Sequence, residues 1–550
     1  MDLQARRVAV NSSLVDPETS AKIETNIKGA SARASRLTCY VVLSLLIILF
    51  GMIRYRLRNM PLERDEGEYA YAGQLLLQGI PPYQIAYNMK LPGTYVAYAA
   101  IMAVFGETAA GIHLGVLLVN AITTLLMFVL ARRFFGHWIS VVAAGVYALL
   151  STMPAVLGLE GHATHFVVLF AIAGVIVLLS AIDKDETWLI FCAGLLLGLA
   201  FLMKQPGIFF PVFGLIYLGY CKFEPTGNQR NLLAQTGAYI AGAILPFALT
   251  CWTIYRLGLF QKFWFWTFSY ARAYVTSNNL QLGLENFRHN AIQVIRPSAF
   301  LWAIAGFGLI SVAWNNGRRR VFHYAFFVCS FLAVCPGLYF RPHYFIVLLP
   351  AASLLVAEFV QFAHEYLSKS TAGIATAVPA LAVVLAFAGA IFTERAFLFT
   401  LDPVSACRAI YPKEPFPELE RVAEYVQSQT TKDEPFEVLG ADPQTYFYAR
   451  RRSVSGFMYI YPLTEDQPYA LPMQREVISD IEAARPEFIV WVYDWDIPAG
   501  PRQLIIRWMA QYLHGNYEAV SVIMQPDSSG AVSLPSRGKT PMIAVFRRRA

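Results

Sequence analysis

The sequence predicts a polytopic α-helical membrane protein of about eleven spans, followed by an α/β domain outside the bilayer. Three observations predict it. Of the 550 residues, 56% are hydrophobic and 15% charged, against about 25% charged in an ordinary soluble domain. The apolar residues gather in repeated runs, and roughly 20 such residues carry a helix across a hydrocarbon core about 30 Å thick. After Phe392 the composition changes to mixed charge with frequent proline, and short strand-like runs alternate with helical stretches.

The first 36 residues are polar and carry Arg6, Arg7, Lys22, Lys28, Arg33 and Arg36. They read as a cytoplasmic tail ahead of an uncleaved first span, because no small-residue cleavage site follows Phe50. The expected spans are 37–53, 109–130, 138–157, 165–182, 188–203, 207–221, 235–255, 299–314, 321–338, 344–361 and 372–392. Together they make a membrane core over 37–392 with a long outer loop at 54–108. A second outer segment covers 256–298, and residues 393–550 form the extracytoplasmic α/β domain. Within the first loop, 94–105 is apolar but too short to span, so it lies along the membrane surface or dips back into the protein. The FWFWTF run of the second segment suits the interface. In the last domain, 437–439 and 488–492 read as strands, and 417–429 and 474–484 as helices.

With the N-terminus in the cytoplasm, the inner loops hold Arg132, Arg133, Lys184, Lys222, Arg230, Arg318 to Arg320 and Lys369, which follows the positive-inside tendency. Arg54, Arg56, Arg58 and Arg64 run against it. The expected location is a bacterial inner membrane. A net charge of +7 is scattered in short clusters between apolar runs and forms no surface for nucleic acid. Most of the seven cysteines sit in apolar stretches, so no disulfide framework is implied. Walker-type GxxxxGK[ST], HExxH and GxSxG patterns are absent, which removes the usual supports for ATP-driven transport, zinc proteolysis and serine hydrolysis.

The strongest chemical feature is the stretch RDEGEYAYAGQLLLQGIPPY from Arg64, followed by NMKLPGTY from Asn88. Glu63, Asp65, Glu66 and Glu68 lie beside the membrane, with Tyr69 among them. A purely local reading makes Asp65 a helix cap, with Glu68 closing a capping box. The functional reading makes Asp65 a general base that takes the proton of an acceptor hydroxyl, with Glu66 beside it. A phosphate leaving group would then need cations to meet its charge. Lys90 in KLPG, Lys204 in MKQPG, and Arg341 with His343 in YFRPHY all fall at outward span ends. Each taken singly could be snorkelling at the interface. Together on the face that carries the acids they suggest an anion pocket, and Tyr69 and His162 are expected to join it in binding substrate.

The turn GLEGHATHF from Gly158 offers Glu160 as a second acid and His162 as its neighbour. Glu160, His162 and His165 could instead hold a divalent metal, although their spacing matches no tight zinc pattern, and no cofactor is required. The aromatic loop 260–296, with Trp264, Trp266, Tyr270, Arg272 and Tyr274, reads as a lid or a membrane belt.

On these motifs the sequence resembles the GT-C membrane glycosyltransferases that use lipid-linked sugars. In particular it resembles the family of protein O-mannosyltransferases and the lipid A aminoarabinose transferase, a glycosyltransferase family 39-like pattern. Asp65 and Glu66 match the Asp-Glu pair that opens the first outer loop. Lys90, Leu91 and Pro92 resemble the following Lys/His-Pro-Pro element, with Leu91 departing from it. Glu160 matches the acid of the second outer loop, where Asp is common. Lys204 to Gly207 and Arg341 to Tyr344 resemble the later basic elements. The resemblance covers the spans through Gln361. It implies an outward cavity for a polyprenyl-phosphate sugar donor, a glycan, lipid or protein acceptor, and inverting transfer with the first-loop Asp as catalyst. The rival reading is a transporter or flippase of lipid-linked sugars, which would more naturally place its ionisable residues near mid-span and show repeated halves.

Overall fold

A computed structural model describes residues 17–224, 231–368, 372–493, 504–524 and 541–549. Arg6, Arg7, Arg230 and Lys369 of the orientation argument lie outside the described residues. Each of the eleven expected apolar runs falls on helix. Among the described residues, seven helical segments are long and apolar enough to cross a membrane, and four shorter apolar helices accompany them. Many apolar side chains on these helices, such as Leu45, Trp252, Phe300 and Leu385, face outward. In water such a surface would drive association, whereas lipid solvates it. The protein is an integral membrane protein.

Several boundaries differ from the sequence reading; in the run expected at 138–157 the α-helix stops at Leu150, ahead of Pro154 and a short 3-10 turn. The first helix, Pro17–Arg56, begins well before the apolar run. The helix Leu280–Ile295 continues through Arg296–Ser298 into Ala299–Ser311 as one apolar stretch, so the second long loop is shorter than 256–298. Pro297 sits at the start of the short 3-10 turn, where its missing N–H costs little. The run expected at 321–338 stops as an α-helix at Leu332, before Pro336 and the left-handed Gly337 at φ 77°.

Arg54 and Arg56, placed outward against the positive-inside tendency, are pinned by the fold. The Arg54 guanidinium is 5% exposed and donates to the carbonyls of Ser151 at 2.6 Å and Gly158 at 2.7 Å. Arg56 donates to Phe397 O at 2.7 Å and also to Leu401 O. Both serve as backbone donors in the folded chain.

The C-terminal region holds a four-stranded sheet ordered β1-β2-β4-β3, with β1 Glu437–Leu439, β2 Phe488–Val492, β3 Tyr517–Met524 and β4 Pro541–Arg548. β1 pairs parallel with β2, and β4 pairs antiparallel with β2 and β3. The first two strands match the expected ranges, and the helices Phe416–Gln429 and Ala470–Ala484 extend the expected ones by one and four residues. This sheet domain shares its core with the helical bundle: Val438, Tyr446 and Val490 belong to the same buried cluster as Leu62, Tyr71 and Leu150. The helix Gln444–Ala449 packs directly on Arg64–Leu77, the helix that carries the acids.

Candidate active site

The helix Arg64–Leu77 starts with a capping box, two residues earlier than the sequence reading placed it. Glu63 is the N-cap; its carboxylate accepts from Glu66 N at 2.8 Å, while Glu66 Oε2 accepts from Glu63 N at 3.4 Å. That assignment releases Asp65 and Glu68 from capping. Spaced i, i+3 and i+4, Asp65, Glu68 and Tyr69 share one helix face.

On that face stands Lys90. Its ammonium donates to Asp65 Oδ1 at 2.7 Å and to Glu68 Oε2 at 2.7 Å, and lies 4.5 Å from the centre of the Tyr69 ring. Glu68 is fully buried, and its other oxygen accepts from Tyr95 OH at 2.5 Å. Burial alone would raise the Asp65 pKa, but the surrounding basic groups, Lys90 first, hold it well below the usual carboxylate range. Its neighbour Glu63 goes the other way, pushed up by burial and by the charges of Asp65 and Glu66. Asp65 is therefore the ionised member of the pair at neutral pH.

The backbone brings the two lysine motifs together. Thr94 Oγ1 donates to Met203 O at 2.8 Å and Gln205 Nε2 donates to Met89 O at 2.6 Å. A Cβ at Gly93 would meet Leu202 O at 2.5 Å, so this close approach requires glycine. Lys204 sits in extended backbone between Thr187–Met203 and Gln205–Ile208. Its ammonium lies 4.2 Å from the centre of the Tyr344 ring, on a small cavity also lined by Thr164, Pro206 and Gly207. Burial pulls its pKa down to about 7, against the attraction of Asp65.

His162 and His343 stack at 4.0 Å with an interplanar angle of 12°. His162 Nδ1 is 3.8 Å and His343 Nε2 3.7 Å from Asp65 Oδ2. Burial lowers the His162 pKa to about 4, which leaves it neutral near pH 7. Both of its ring nitrogens are buried without a hydrogen-bond partner. Arg341 lies farther out, its guanidinium donating to Tyr274 OH at 3.3 Å and facing the Tyr339 ring at 5.3 Å.

The fold around this cluster has relatives. Residues 90–255 match the family described as dolichyl-phosphate-mannose-protein mannosyltransferase. ArnT from Cupriavidus metallidurans, solved bound to undecaprenyl phosphate, superposes with a TM-score of 0.57 at 14% identity, over 92% of this chain and 97% of that one. The Archaeoglobus fulgidus oligosaccharyltransferase tethered to an acceptor peptide superposes with a TM-score of 0.54 at 11% identity, over 92% and 75% of the two chains. The chain has the GT-C glycosyltransferase fold. The same archaeal enzyme in complex with Zn and sulfate superposes at 0.51, with 12% identity over 91% and 74%. No curated protein matches the chain in sequence.

Within this GT-C fold the residues singled out by sequence divide into three groups. Asp65, Tyr69, Lys90, His162, Lys204 and His343 come together around the Asp65 carboxylate. Arg341 lies toward the loop 260–275, where Tyr274 stacks on Tyr339 at 4.8 Å. Glu66 and Glu160 sit behind the cluster. Glu66 Oε1 accepts from Gly161 N at 2.6 Å and faces His113 Nε2 at 3.0 Å, tying the first long loop to the turn that carries His162. Glu160 is fully buried and neither of its oxygens has a hydrogen-bond partner. Burial, together with the Glu66 charge, pushes its pKa up to about 7.

The candidate metal donors also differ from the sequence reading. Ligand atoms of Asp65, His162 and His343 lie within 4.8 Å of one another, a set that replaces Glu160, His162 and His165. A carboxylate with two neutral imidazoles, one of them unpartnered, suits a divalent ion such as zinc.

Sequence reasoning missed Glu68 as the second partner of Lys90, although its i+3 spacing from Asp65 was legible. It also missed His113, Tyr95 and Tyr459, whose hydroxyl reaches Glu68 Oε2 at 3.0 Å from 391 residues away. No local signal marks such a contact.

Proposed function

We propose that this protein is a glycosyltransferase that moves a sugar from a polyprenyl-phosphate-linked donor to a hydroxyl of a lipid, glycan or protein acceptor. The reaction takes place on the outer face of a bacterial inner membrane, with Asp65 as general base. The observation that carries the reading is the ionised Asp65 carboxylate, held 2.7 Å from Lys90 at the loop end of the bundle. Undecaprenyl phosphate in the ArnT relative supports a lipid-phosphate donor.

The acceptor oxygen attacks the anomeric carbon, the bond from that carbon to the phosphate oxygen breaks, and the phosphate leaves as an anion with the electron pair. Asp65 receives the hydroxyl proton, and the anomeric centre inverts. A carboxylate with so low a pKa is a weak base toward a free alcohol. Proton transfer therefore belongs late in the step, when bonding to carbon has made the hydroxyl strongly acidic. Lys90 already serves two carboxylates, so its role is to keep Asp65 ionised and aimed. Lys204 and Arg341 are the cations placed to meet the phosphate.

Asp65, His162 and His343 would hold a divalent ion, which would supply further positive charge for the phosphate. The flippase reading is disfavoured because the cluster that includes Asp65 sits in loops and at helix ends.

Asp65→Asn keeps the size of the side chain and its contact to Lys90 but removes the base. Purified and reconstituted with a labelled polyprenyl-phosphate sugar, this variant should lose transfer by about 10²–10⁴-fold, the usual worth of a general base, while folding and inserting normally. Near-normal transfer would reject the assignment.

A further inference from the structure

The buried carboxylate of Glu68 is surrounded by donors from three parts of the chain. Lys90 and Tyr459 both reach Oε2, at 2.7 and 3.0 Å, and Tyr95 reaches Oε1 at 2.5 Å. Tyr459 belongs to the C-terminal domain. Its hydroxyl also stands 3.0 Å from Arg64 O, and with a single proton to give it favours the charged acceptor.

The segment 453–459 that carries Tyr459 is fastened on both sides. On the sheet side, Glu437 of β1 accepts from Ser453 Oγ at 3.2 Å, Ser455 N at 3.0 Å and Ser455 Oγ at 2.6 Å. On the loop side, Ser453 N donates to Tyr71 OH at 2.8 Å, and Tyr87 N donates to Gly456 O at 2.7 Å. A Cβ at Gly456 would meet the Tyr87 ring at 2.2 Å, so the strap closes onto the loop only with glycine there. Tyr87 precedes Lys90 by three residues. One strap thus holds the backbone beside the lysine and one of the two acids that share it.

We infer that the C-terminal domain completes the active site, with Tyr459 acting as a positioning residue that sets how Lys90 is divided between Asp65 and Glu68. This rests on the glycosyltransferase reading for its kinetic consequence and on geometry alone for its structural one. A proton donated to Glu68 Oε2 offsets part of the charge that competes with Asp65 for the ammonium. Without it, Glu68 draws Lys90 more strongly, the ammonium shifts away from Asp65, and that carboxylate is aimed less firmly.

The test is Tyr459→Phe, which keeps the ring, with Tyr425→Phe as a control at a half-exposed position elsewhere in the same domain. In reconstituted full-length protein, Tyr459→Phe should lower kcat/KM on the order of tenfold, the worth of one hydrogen bond to a charged group. The loss should fall on kcat and leave the KM for the donor unchanged. The control should leave both unchanged. A fall in thermal stability with kcat unchanged would assign Tyr459 a merely structural role and overturn the inference. Acetylation of Lys90 by acetic anhydride, followed by mass spectrometry in the absence of substrate, gives a readout free of turnover. A stronger pair with Glu68 should slow Lys90 modification several-fold in Tyr459→Phe, and an equal or faster rate would overturn the inference. If the wild type transfers no sugar from any polyprenyl-phosphate donor, the glycosyltransferase reading fails, and the acetylation rates still decide the role of Tyr459.

Discussion

Replacing Lys90 with Met keeps the apolar stem and removes the one ammonium that two carboxylates share at 2.7 Å each. An ion pair at about 4 Å is worth roughly 4 kcal/mol at an effective dielectric near 20. A carboxylate beside a cation commonly titrates about 1–3 units below its ordinary value. Removing Lys90 should return Asp65 upward by that amount, and the unmasked Glu68 charge pushes in the same direction. The sign follows from the role of Asp65 as an ionised base: activity is present above its pKa and disappears as pH falls through it. The acid limb of kcat/KM should therefore move to higher pH by about 1–3 units, while Lys90→Arg, which retains the charge, should leave the limb near its original place. Stability should also fall. Leaving a buried charge without its partner costs about 3–5 kcal/mol, but Glu68, already pushed up by burial, can protonate and keep the loss below that. The assay is the pH dependence of sugar transfer by reconstituted protein, with thermal unfolding in detergent alongside. An acid limb that stays in place in Lys90→Met would refute the view that Lys90 keeps the base ionised.

Lys204, with a pKa of about 7, is cationic below that pH. Binding of a polyprenyl phosphate to the free protein should therefore weaken as pH rises through about 7, and Lys204→Arg should remove the dependence; an identical pH profile in both proteins would exclude Lys204 as the phosphate cation. Glu66→Gln weakens the contacts to Gly161 N and His113 and should destabilise the protein by about 1–3 kcal/mol. Unfolding at an unchanged temperature would show that the two loops are not latched there. For the metal, calorimetric titration with Zn²⁺ should show a site in the wild type that is lost in His162→Ala and His343→Ala. Equal binding in all three would exclude this set.

How much was legible in the sequence depends on the range of the forces involved. The eleven apolar runs fall on helix because span length and hydropathy are local properties, and lipid leaves an apolar backbone no alternative to internal hydrogen bonds. Strands 437–439 and 488–492 were legible for the same reason, as short apolar runs between polar breaks. The acids and lysines could be nominated because charge beside apolar runs is costly and stands out. Mistakes came where one short interval admits two solutions. The capping box could have begun at Glu63 or at Asp65, and one choice releases the base while the other occupies it.

The sequence alone determined that this is a membrane protein with a helical core, a mixed C-terminal domain, and an acidic first loop accompanied by basic motifs. Those features are written in composition and spacing along the chain. Only the tertiary structure decided that Lys90 lies between Asp65 and Glu68, that His162 stacks on His343 beside the same carboxylate, and that Tyr459 of the last domain reaches into the cluster. Such pairings depend on how distant segments pack, and packing energy is set by the shape of the whole core, which no single stretch of sequence contains.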